Sequence, residues 1–272
     1  MTTQPVPLAF QLRELAVGLA RKAGEMVREG RQGGLDEVDS KSTATDLVTE
    51  FDKASERLIV GELAKQRPGD GIIGEEGSSA ESSTGISWLI DPIDGTTNFF
   101  YNLTGYAVSI GAADYEGMIA AAVYLPVTDE MFSAARGHGA MLNDTPIHCS
   151  PTIDLHQALV GTGFSYHPAK RVLHAQRLVG IIGEIRDIRR FGAAAPDLCY
   201  VACGRLDAYF EENLGPWDLA AGGLIAAEAG CVLGDFGGGI VRPEQVLVAS
   251  PAIFEPLRQL INRADAALAA PQ

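Results

Sequence analysis

No stretch of this 272-residue chain reaches the roughly 20 apolar residues that a helix needs to cross a bilayer, so the sequence predicts no membrane span. Residues 1–10 lack both the basic opening and the apolar centre of a secretory leader, and the expected location is the cytoplasm. Basic residues are scarce: Lys+Arg 21 against Asp+Glu 35 gives a formal net charge of −14. That balance disfavours a nucleic-acid surface and repels anionic lipid. Cysteine is sparse as well. Cys149, Cys199, Cys203 and Cys231 are too few for a disulfide framework in a chain of this length and are expected to stay reduced. Cys199 and Cys203 share one helix face but match no thiolate metal site, and they read as small apolar filler. His138, His148, His156, His167 and His174 are scattered, and none pairs with a Ser or Cys in a triad pattern. Repeats and low-complexity tracts are missing apart from an Ala-rich tail, Ala264–Gln272, read as frayed. What these absences leave is a soluble globular protein, 46% hydrophobic and 21% charged, long enough to bury its own core.

Apolar residues at 3-and-4 spacing predict a helix from Phe10 to about Val27, ended by Gly30 and Gly33-Gly34. After a polar loop at Asp39–Thr45, a second helix is expected from Leu47 to Leu63, with Asp46 as its N-cap and a stop before Pro68-Gly69. Short apolar runs at Ile72-Ile73, Trp88–Ile90, Ala107–Ala112, Met118–Tyr124 and Glu130–Ala134 then predict a largely antiparallel sheet. Asn143–Thr152 reads as a loop. Beyond it the pattern alternates: a strand at Leu159–Gly163, helices at Val172–Ile182 and Ala193–Ala202, a strand at Asp207–Phe210, a helix from Trp217, strands near Val232 and Leu247, and a final helix after Pro251. The fold class expected is α+β followed by α/β, with an N-terminal domain over residues 1–146 and a C-terminal domain over 147–272.

The most informative segment is Trp88-Leu-Ile-Asp-Pro-Ile-Asp-Gly-Thr-Thr-Asn98. Ile86–Ile90 has the character of a buried strand, and the run then turns into two carboxylates, Asp91 and Asp94, followed by Gly95, Thr96 and Thr97, residue types that open a helix. Carboxylates supply hard oxygen ligands for Mg²⁺, and a helix N-terminus beginning at Gly95 would donate N–H groups to an anion. A lone Asp-Gly-Thr would read as an Asx turn and N-cap. Two further segments stand beside it: Gly74-Glu75-Glu76 after Ile72-Ile73, and Trp217-Asp218 opening an Ala-rich helix. Alone, Asp218 would be an ordinary N-cap, Trp217 a core or staple aromatic, and Glu76 a solvated neighbour of Glu75.

Together, in this order, the three segments resemble the signatures of the inositol monophosphatase family, Mg²⁺-dependent and lithium-sensitive sugar phosphatases, and the resemblance runs from about Leu12 to about Ile261. It implies a layered αβαβα sandwich, a homodimer, and a small phosphate monoester as substrate. It also implies roles for particular residues. Glu75, Asp91, the Ile93 carbonyl, Asp94 and Asp218 match metal ligands, and Glu75 further helps orient the attacking water. Thr96 matches the threonine bonded to that water, and Asp52 its acidic partner, although helical spacing with Thr49 and Lys53 leaves Asp52 readable as a surface residue. Gly95 and Thr96 amides match the phosphate cradle, Ala194 and Glu211 the contacts to the inositol ring, and Lys41 a supporting position in a loop. One departure is visible: Ala193 stands where many members carry Ser or Thr, which removes a hydroxyl beside the ring.

The reading that follows is Mg²⁺-dependent hydrolysis of myo-inositol monophosphate by a metal-activated water, with no covalent phosphoenzyme. Phosphate-monoester hydrolysis is among the slowest uncatalysed reactions, and two ions held by acids from separate segments can both neutralise the phosphoryl group and activate water. The alternatives are a histidinol-phosphate phosphatase of the same fold and a weakly catalytic member that binds a regulatory partner. Fructose 1,6-bisphosphate and 3′-phosphoadenosine 5′-phosphate, cleaved by related members, usually go with longer insertions for which this chain has little room.

Overall fold

The structure, a computed structural model, describes residues 6–32, 38–40 and 47–269. In chain order the elements are α1 (Leu8–Gln32), β1 (Val38–Ser40), β2 (Leu47–Thr49), α2 (Glu50–Gln66), β3 (Gly71–Gly74), β4 (Ser79–Ala80), β5 (Ser87–Asp94), α3 (Thr96–Phe100), β6 (Ala107–Asp114), β7 (Gly117–Leu125), β8 (Glu130–Ala135), β9 (Ala140–Leu142) and β10 (Thr145–Ile147). They continue with β11 (Leu159–Thr162), α4 (Pro168–Ile181), β12 (Asp187–Arg189), α5 (Ala194–Ala202), β13 (Ala208–Glu212), α6 (Pro216–Glu228), β14 (Val232–Gly234), β15 (Gln245–Ala249) and α7 (Pro251–Ala269).

Eight strands form one sheet in the order β10-β9-β8-β7-β6-β5-β3-β4, and five form another, β12-β11-β13-β15-β14. The larger sheet is antiparallel except where β3 pairs with β5. Alternation along single strands sorts these sheets into layers, because successive side chains leave opposite faces. Along β7, Ala120, Ala122 and Tyr124 pack with α1 and α2, while Ala121, Val123 and Leu125 pack with α5 and α6. Along β15, Val246 and Val248 face α5 and α6, while Leu247 and Ala249 face α4 and α7. The order is α1/α2, the large sheet, α5/α6, the small sheet, α4/α7: the αβαβα sandwich that the resemblance implied. Cys199 lies inside the middle layer and Cys203 packs against it, as expected of apolar filler.

Four local expectations change. Gly30 does not end α1, which runs on to Gln32; a Cβ there would come within 1.9 Å of the Phe51 ring, so the glycine admits an aromatic from α2. Leu47–Thr49 is a strand paired with β1, not the first helical turn. The helix starts at Glu50 because Thr49 caps it, its Oγ1 accepting the Phe51 N–H while its own N–H donates to Asp52 Oδ2. The cap is therefore Thr49; Asp46 and Lys41 lie outside the described residues. Finally, the expected loop around Asn143 contains a short strand, β10, that closes an antiparallel edge with β9.

Candidate active site

Strand β5 continues past Ile90 through both aspartates instead of ending before them. In a regular strand, residues three apart point to opposite faces. Here Asp91 pairs with Ser109 and Asp94 with Ala107, so three steps on β5 oppose two on β6, and the bulge brings both carboxylates to one side. Ile93 N–H bonds Asp91 Oδ1 at 3.0 Å and Ser55 Oγ of α2 bonds the Pro92 carbonyl at 3.0 Å, which pins the bulge from within and from behind. At its end Gly95 takes φ +88, and a Cβ there would stand 2.9 Å from both Ala193 Cβ and the Gly105 carbonyl. Only glycine fits. The same contact places Ala193 in the packing: its methyl fills the space against Gly95 where a hydroxyl was the family expectation.

Glu75 sits in the turn between β3 and β4. That turn is held by a residue without any sequence signature, the buried Glu56 of α2, whose carboxylate accepts the Glu76 N–H at 2.8 Å and the Ser78 N–H at 2.9 Å. Asp52, one helical turn earlier, is completely buried rather than surface-facing. Its Oδ2 closes the α2 cap on Thr49, and Thr96 Oγ1 lies 3.1 Å from both its Oδ1 and the Ile93 carbonyl. Burial raises the Asp52 pKa, hydrogen bonds from Thr49 oppose this, and the charges of Glu76 and Glu75 add to the rise, leaving it at about 6.

Helix α5 begins against this cluster: the Ala195 N–H donates to Asp94 Oδ2 at 2.5 Å, so a helix N-terminus orients the carboxylate. Helix α6 delivers Asp218 from its first turn, where Oδ2 also accepts the Gly215 N–H at 2.7 Å. On β13 alternation splits two neighbouring acids. Glu211 shares the inner face with Tyr209, whose hydroxyl donates to it. Glu212 shares the outer face with Phe210 and meets Arg177 at 2.5 Å and His174 at 3.3 Å. Gly163 leaves room for Glu211, since a Cβ there would overlap its carboxylate at 1.9 Å.

One cavity of about 380 Å³ joins these groups: Glu75, Asp91, Ile93, Asp94, Gly95, Thr96, Ala194, Glu211 and Asp218 all line it. Of the residues singled out from sequence, Asp52 stands behind the wall through Thr96, and Lys41 lies outside the described residues. Carboxylate oxygens of Asp91, Asp94 and Asp218 approach within 4.8 Å of one another. Burial, and then the charges of Glu75, Asp94 and Asp218, push the Asp91 pKa well above the carboxylate range. Burial and Asp218 do the same to Asp94, partly offset by the Ala195 amide. Two buried carboxylates and a half-buried one converging with all-oxygen donors make a set that a hard divalent cation fits: it neutralises the repulsion and restores the ionised forms.

Sequence reasoning missed the remaining lining residues. Ser165, Tyr166, His167 and Lys170 come from the turn into α4, Arg190 and Gly192 from the β12–α5 connection, and Asn213 from the turn after β13. Apart from Gly192, which directly precedes Ala193 in the segment that resembles the family's ring contact, none sits in a motif, and only the fold brings the three segments together. Behind them lies Asp197 of α5, 1% exposed, whose Oδ1 has no hydrogen-bond partner among the described residues. Burial, with Glu211 and Asp94 nearby, raises its pKa well above the ordinary value.

A model of the inositol monophosphatase family matches residues 10–267. An inositol-1-monophosphatase of Mycobacterium leprae is 43% identical over 275 residues, covering 93% of this chain and 94% of that protein. The Nus factor SuhB of Vibrio cholerae is 39% identical, covering 92% and 97%. Among solved structures, the extragenic suppressor protein suhB from Bartonella henselae superposes with a TM-score of 0.88 at 34% identity, covering 93% and 99%.

Proposed function

The chain belongs to the inositol monophosphatase family, and we propose that it hydrolyses myo-inositol monophosphate to myo-inositol and phosphate with Mg²⁺ as cofactor. The observation that carries this reading is the bulge in β5, which turns Asp91 and Asp94 toward Asp218 in a cavity that also contains Glu211. Glu75, Asp91, Asp94, Asp218 and the Ile93 carbonyl would hold the ions. When bound, Mg²⁺ supplies positive charge to the phosphoryl group and acidity to water. Glu75 and Thr96 orient the attacking water, and Asp52 fixes the Thr96 hydroxyl through their hydrogen bond. The Gly95 and Thr96 amides hold phosphate oxygens. Glu211, held in place by Tyr209, accepts hydrogen bonds from ring hydroxyls above Ala194. Lys41, outside the described residues, is given a supporting role. The protein is assigned to the cytoplasm as a homodimer, a state that light scattering on the purified protein tests.

A second reading, a regulatory protein-binding role, has one observation in its favour: similar proteins are named Nus factor SuhB. The complete acid set supports catalysis, since a binding role has no need of buried carboxylates facing a cavity. Phosphate release from inositol 1-phosphate, histidinol phosphate and fructose 1,6-bisphosphate, with and without Mg²⁺, tests the proposal. Mg²⁺-dependent turnover led by inositol 1-phosphate is expected, together with inhibition by millimolar lithium. Preference for histidinol phosphate would replace the substrate, and no turnover on any of the three would favour the regulatory role.

A further inference from the structure

The turn that follows Asp94 and the β12–α5 connection are tied through a buried side chain that has no part in the reading above. Asn98, in the middle of the five-residue α3, is 6% exposed. Its Nδ2 donates to the Gly105 carbonyl at 2.6 Å and to the Phe191 carbonyl at 2.8 Å, so both N–H groups of the amide go to main chain, from two different connections. Two glycines leave the room this needs. A Cβ at Gly105 would stand 3.2 Å from the Asn98 nitrogen and 3.7 Å from the Phe191 carbonyl. One at Gly192, where φ is +95, would stand 3.3 Å from both the nitrogen and the oxygen of the same amide.

The two ends of this tie are held unequally by the rest of the protein. Helix α3 is anchored from several sides: the Phe99 ring meets Phe51 and Tyr106 edge-on, Arg31 donates to the Phe99 and Phe100 carbonyls, and the Leu103 N–H bonds the Asn98 carbonyl at 2.8 Å. Residues 190–192 belong to no helix or strand, and Arg190 and Phe191 are exposed. The Phe191 ring meets Tyr200 with centroids 5.4 Å apart, which fixes the ring, while the direction of the carbonyl is set by Asn98. From this segment Arg190, Gly192 and Ala193 line the cavity, beside the space that the proposed function gives to the alcohol. Gly95 packs against the same two connections, since a Cβ there would touch both Ala193 and the Gly105 carbonyl.

We propose that Asn98 is a positioning residue for substrate specificity: it holds the β12–α5 connection at a set distance from the Gly95–Thr96 turn and so determines how well the alcohol of the substrate fits between them. This rests on the phosphatase reading and deepens it. An alcohol that fills the space needs the connection in one place. Without the two hydrogen bonds only a fraction of the molecules keep it there, and apparent affinity falls by that fraction. Losing two neutral hydrogen bonds should raise KM for inositol 1-phosphate by about tenfold with kcat changed less than about twofold. The ring of p-nitrophenyl phosphate has no hydroxyls to match, and its KM stays put. A tie that only held the fold together would instead lower the folded fraction, reducing kcat on both substrates alike and leaving KM unmoved.

Steady-state kinetics with Mg²⁺ on the two substrates, in the wild type and in Asn98→Asp, Asn98→Ala and Gly105→Ala, test the proposal. Asn98→Asp keeps the shape and removes the donors. Gly105→Ala leaves Asn98 in place and sets a methyl 3.2 Å from its nitrogen, so it carries the same test should the Asn98 variants fail to fold. The expected result is a KM for inositol 1-phosphate raised about tenfold in the Asn98 variants and about threefold in Gly105→Ala, with p-nitrophenyl phosphate within about twofold throughout. Equal losses on the two substrates, or an unmoved KM, overturn the proposal while wild-type turnover keeps the phosphatase reading intact. Hydrogen–deuterium exchange without substrate gives a readout free of chemistry: the amides of Gly192 to Ala194 should exchange at least about threefold faster in the variants, with α7 unchanged. Unchanged exchange in the connection overturns the proposal whatever the kinetics show. If the wild type cleaves neither substrate, the phosphatase reading fails and exchange alone decides, faster exchange confined to the connection upholding the positioning role.

Discussion

The two walls of the cavity are built in opposite ways. The wall around Asp91 and Asp94 is one continuous strand and turn, buried, and fixed by a bulge, a glycine and a helix N-terminus. The opposite wall, which the proposed function assigns to the alcohol, is assembled from the turn into α4, the β12–α5 connection and the end of β13, and its cations Lys170 and Arg190 are exposed to solvent. Their electrostatics are opposite too. On the first wall buried carboxyls crowd together and their pKa values rise. On the second, Glu212 meets Arg177 and His174, and although burial alone would raise its pKa, those partners hold it at about 2. On the proposed function, the difference teaches that chemistry common to every phosphate would be rigid and local, whereas discrimination among alcohols would be spread over segments free to change one at a time.

The hardest blow to this contrast would fall on the first wall. Asp94→Asn keeps the volume of a ligand while removing its charge, and turnover should drop by at least about a thousandfold on every phosphate monoester with little loss of fold. Activity within tenfold of wild type at saturating Mg²⁺ would show that the cluster is not the site. Glu75→Gln is expected to act in the same unselective way through kcat, because an amide is both a weaker ligand and a weaker orienter of water; an unchanged kcat would remove Glu75 from the assignment.

On the second wall the losses should be smaller and selective. Glu211→Ala should cost about 1.5–3 kcal/mol in kcat/KM for inositol phosphate, the worth of hydrogen bonds to a charged group, and almost nothing for p-nitrophenyl phosphate. Gly163→Ala should mimic it with no change at Glu211 itself, since the new methyl takes the place of the carboxylate. Equal losses on both substrates would mean that Glu211 supports the catalytic frame, erasing the distinction between the walls.

Stability against pH gives the mildest test. The Asp52 carboxyl has its pKa raised from 3.8 to about 6, so its protonated form favours the folded state; that contribution is complete below 3.8 and is lost as pH rises through about 6. Glu212 runs the other way: its contribution is complete above 4.5 and is lost as pH falls toward about 2. In EDTA, Asp52→Asn should flatten the decline in Tm between pH 4 and 6.5, and Glu212→Gln should flatten the acid limb below pH 4.5. Wild-type and variant profiles that run parallel would show that neither group is tuned as described. Because Asp91 and Asp94 shift in the same direction as Asp52, Mg²⁺ should raise Tm more at pH 7 than at pH 5.

Legibility in the sequence follows the same division. Asp91 to Asn98 could be read because ligand, turn and helix start are consecutive, and the family resemblance added Glu75 and Asp218 as short segments of their own. The layered fold was legible from the same resemblance and from apolar periodicity. Asp52 resisted, since its burial comes from the Thr49 cap and from Thr96, forty-four positions away. The bulge was invisible as well: extended strand through Asp94 depends on pairing with β6, and nothing in Asp-Pro-Ile-Asp announces a register shift. Lys170 and Arg190 look like surface charges in sequence, and only the return of β13 between β11 and β15 gathers their segments around one space.

The middle layer carries a consequence for anyone wishing to make this protein hardier. Helices α5 and α6 each present their first turn to the acid cluster, one by gripping Asp94 and the other by supplying Asp218, and they touch through Gly222, where an added Cβ would lie 2.8 Å from Leu198 and 3.2 Å from the Ala195 carbonyl. A substitution that fills this seam, Gly222→Ala above all, would slide one helix along the other and alter the carboxylate spacing from well inside the protein. Heat-tolerant versions are better sought in the outer helices α1, α4 and α7, where repacking does not act directly on the geometry of the acids.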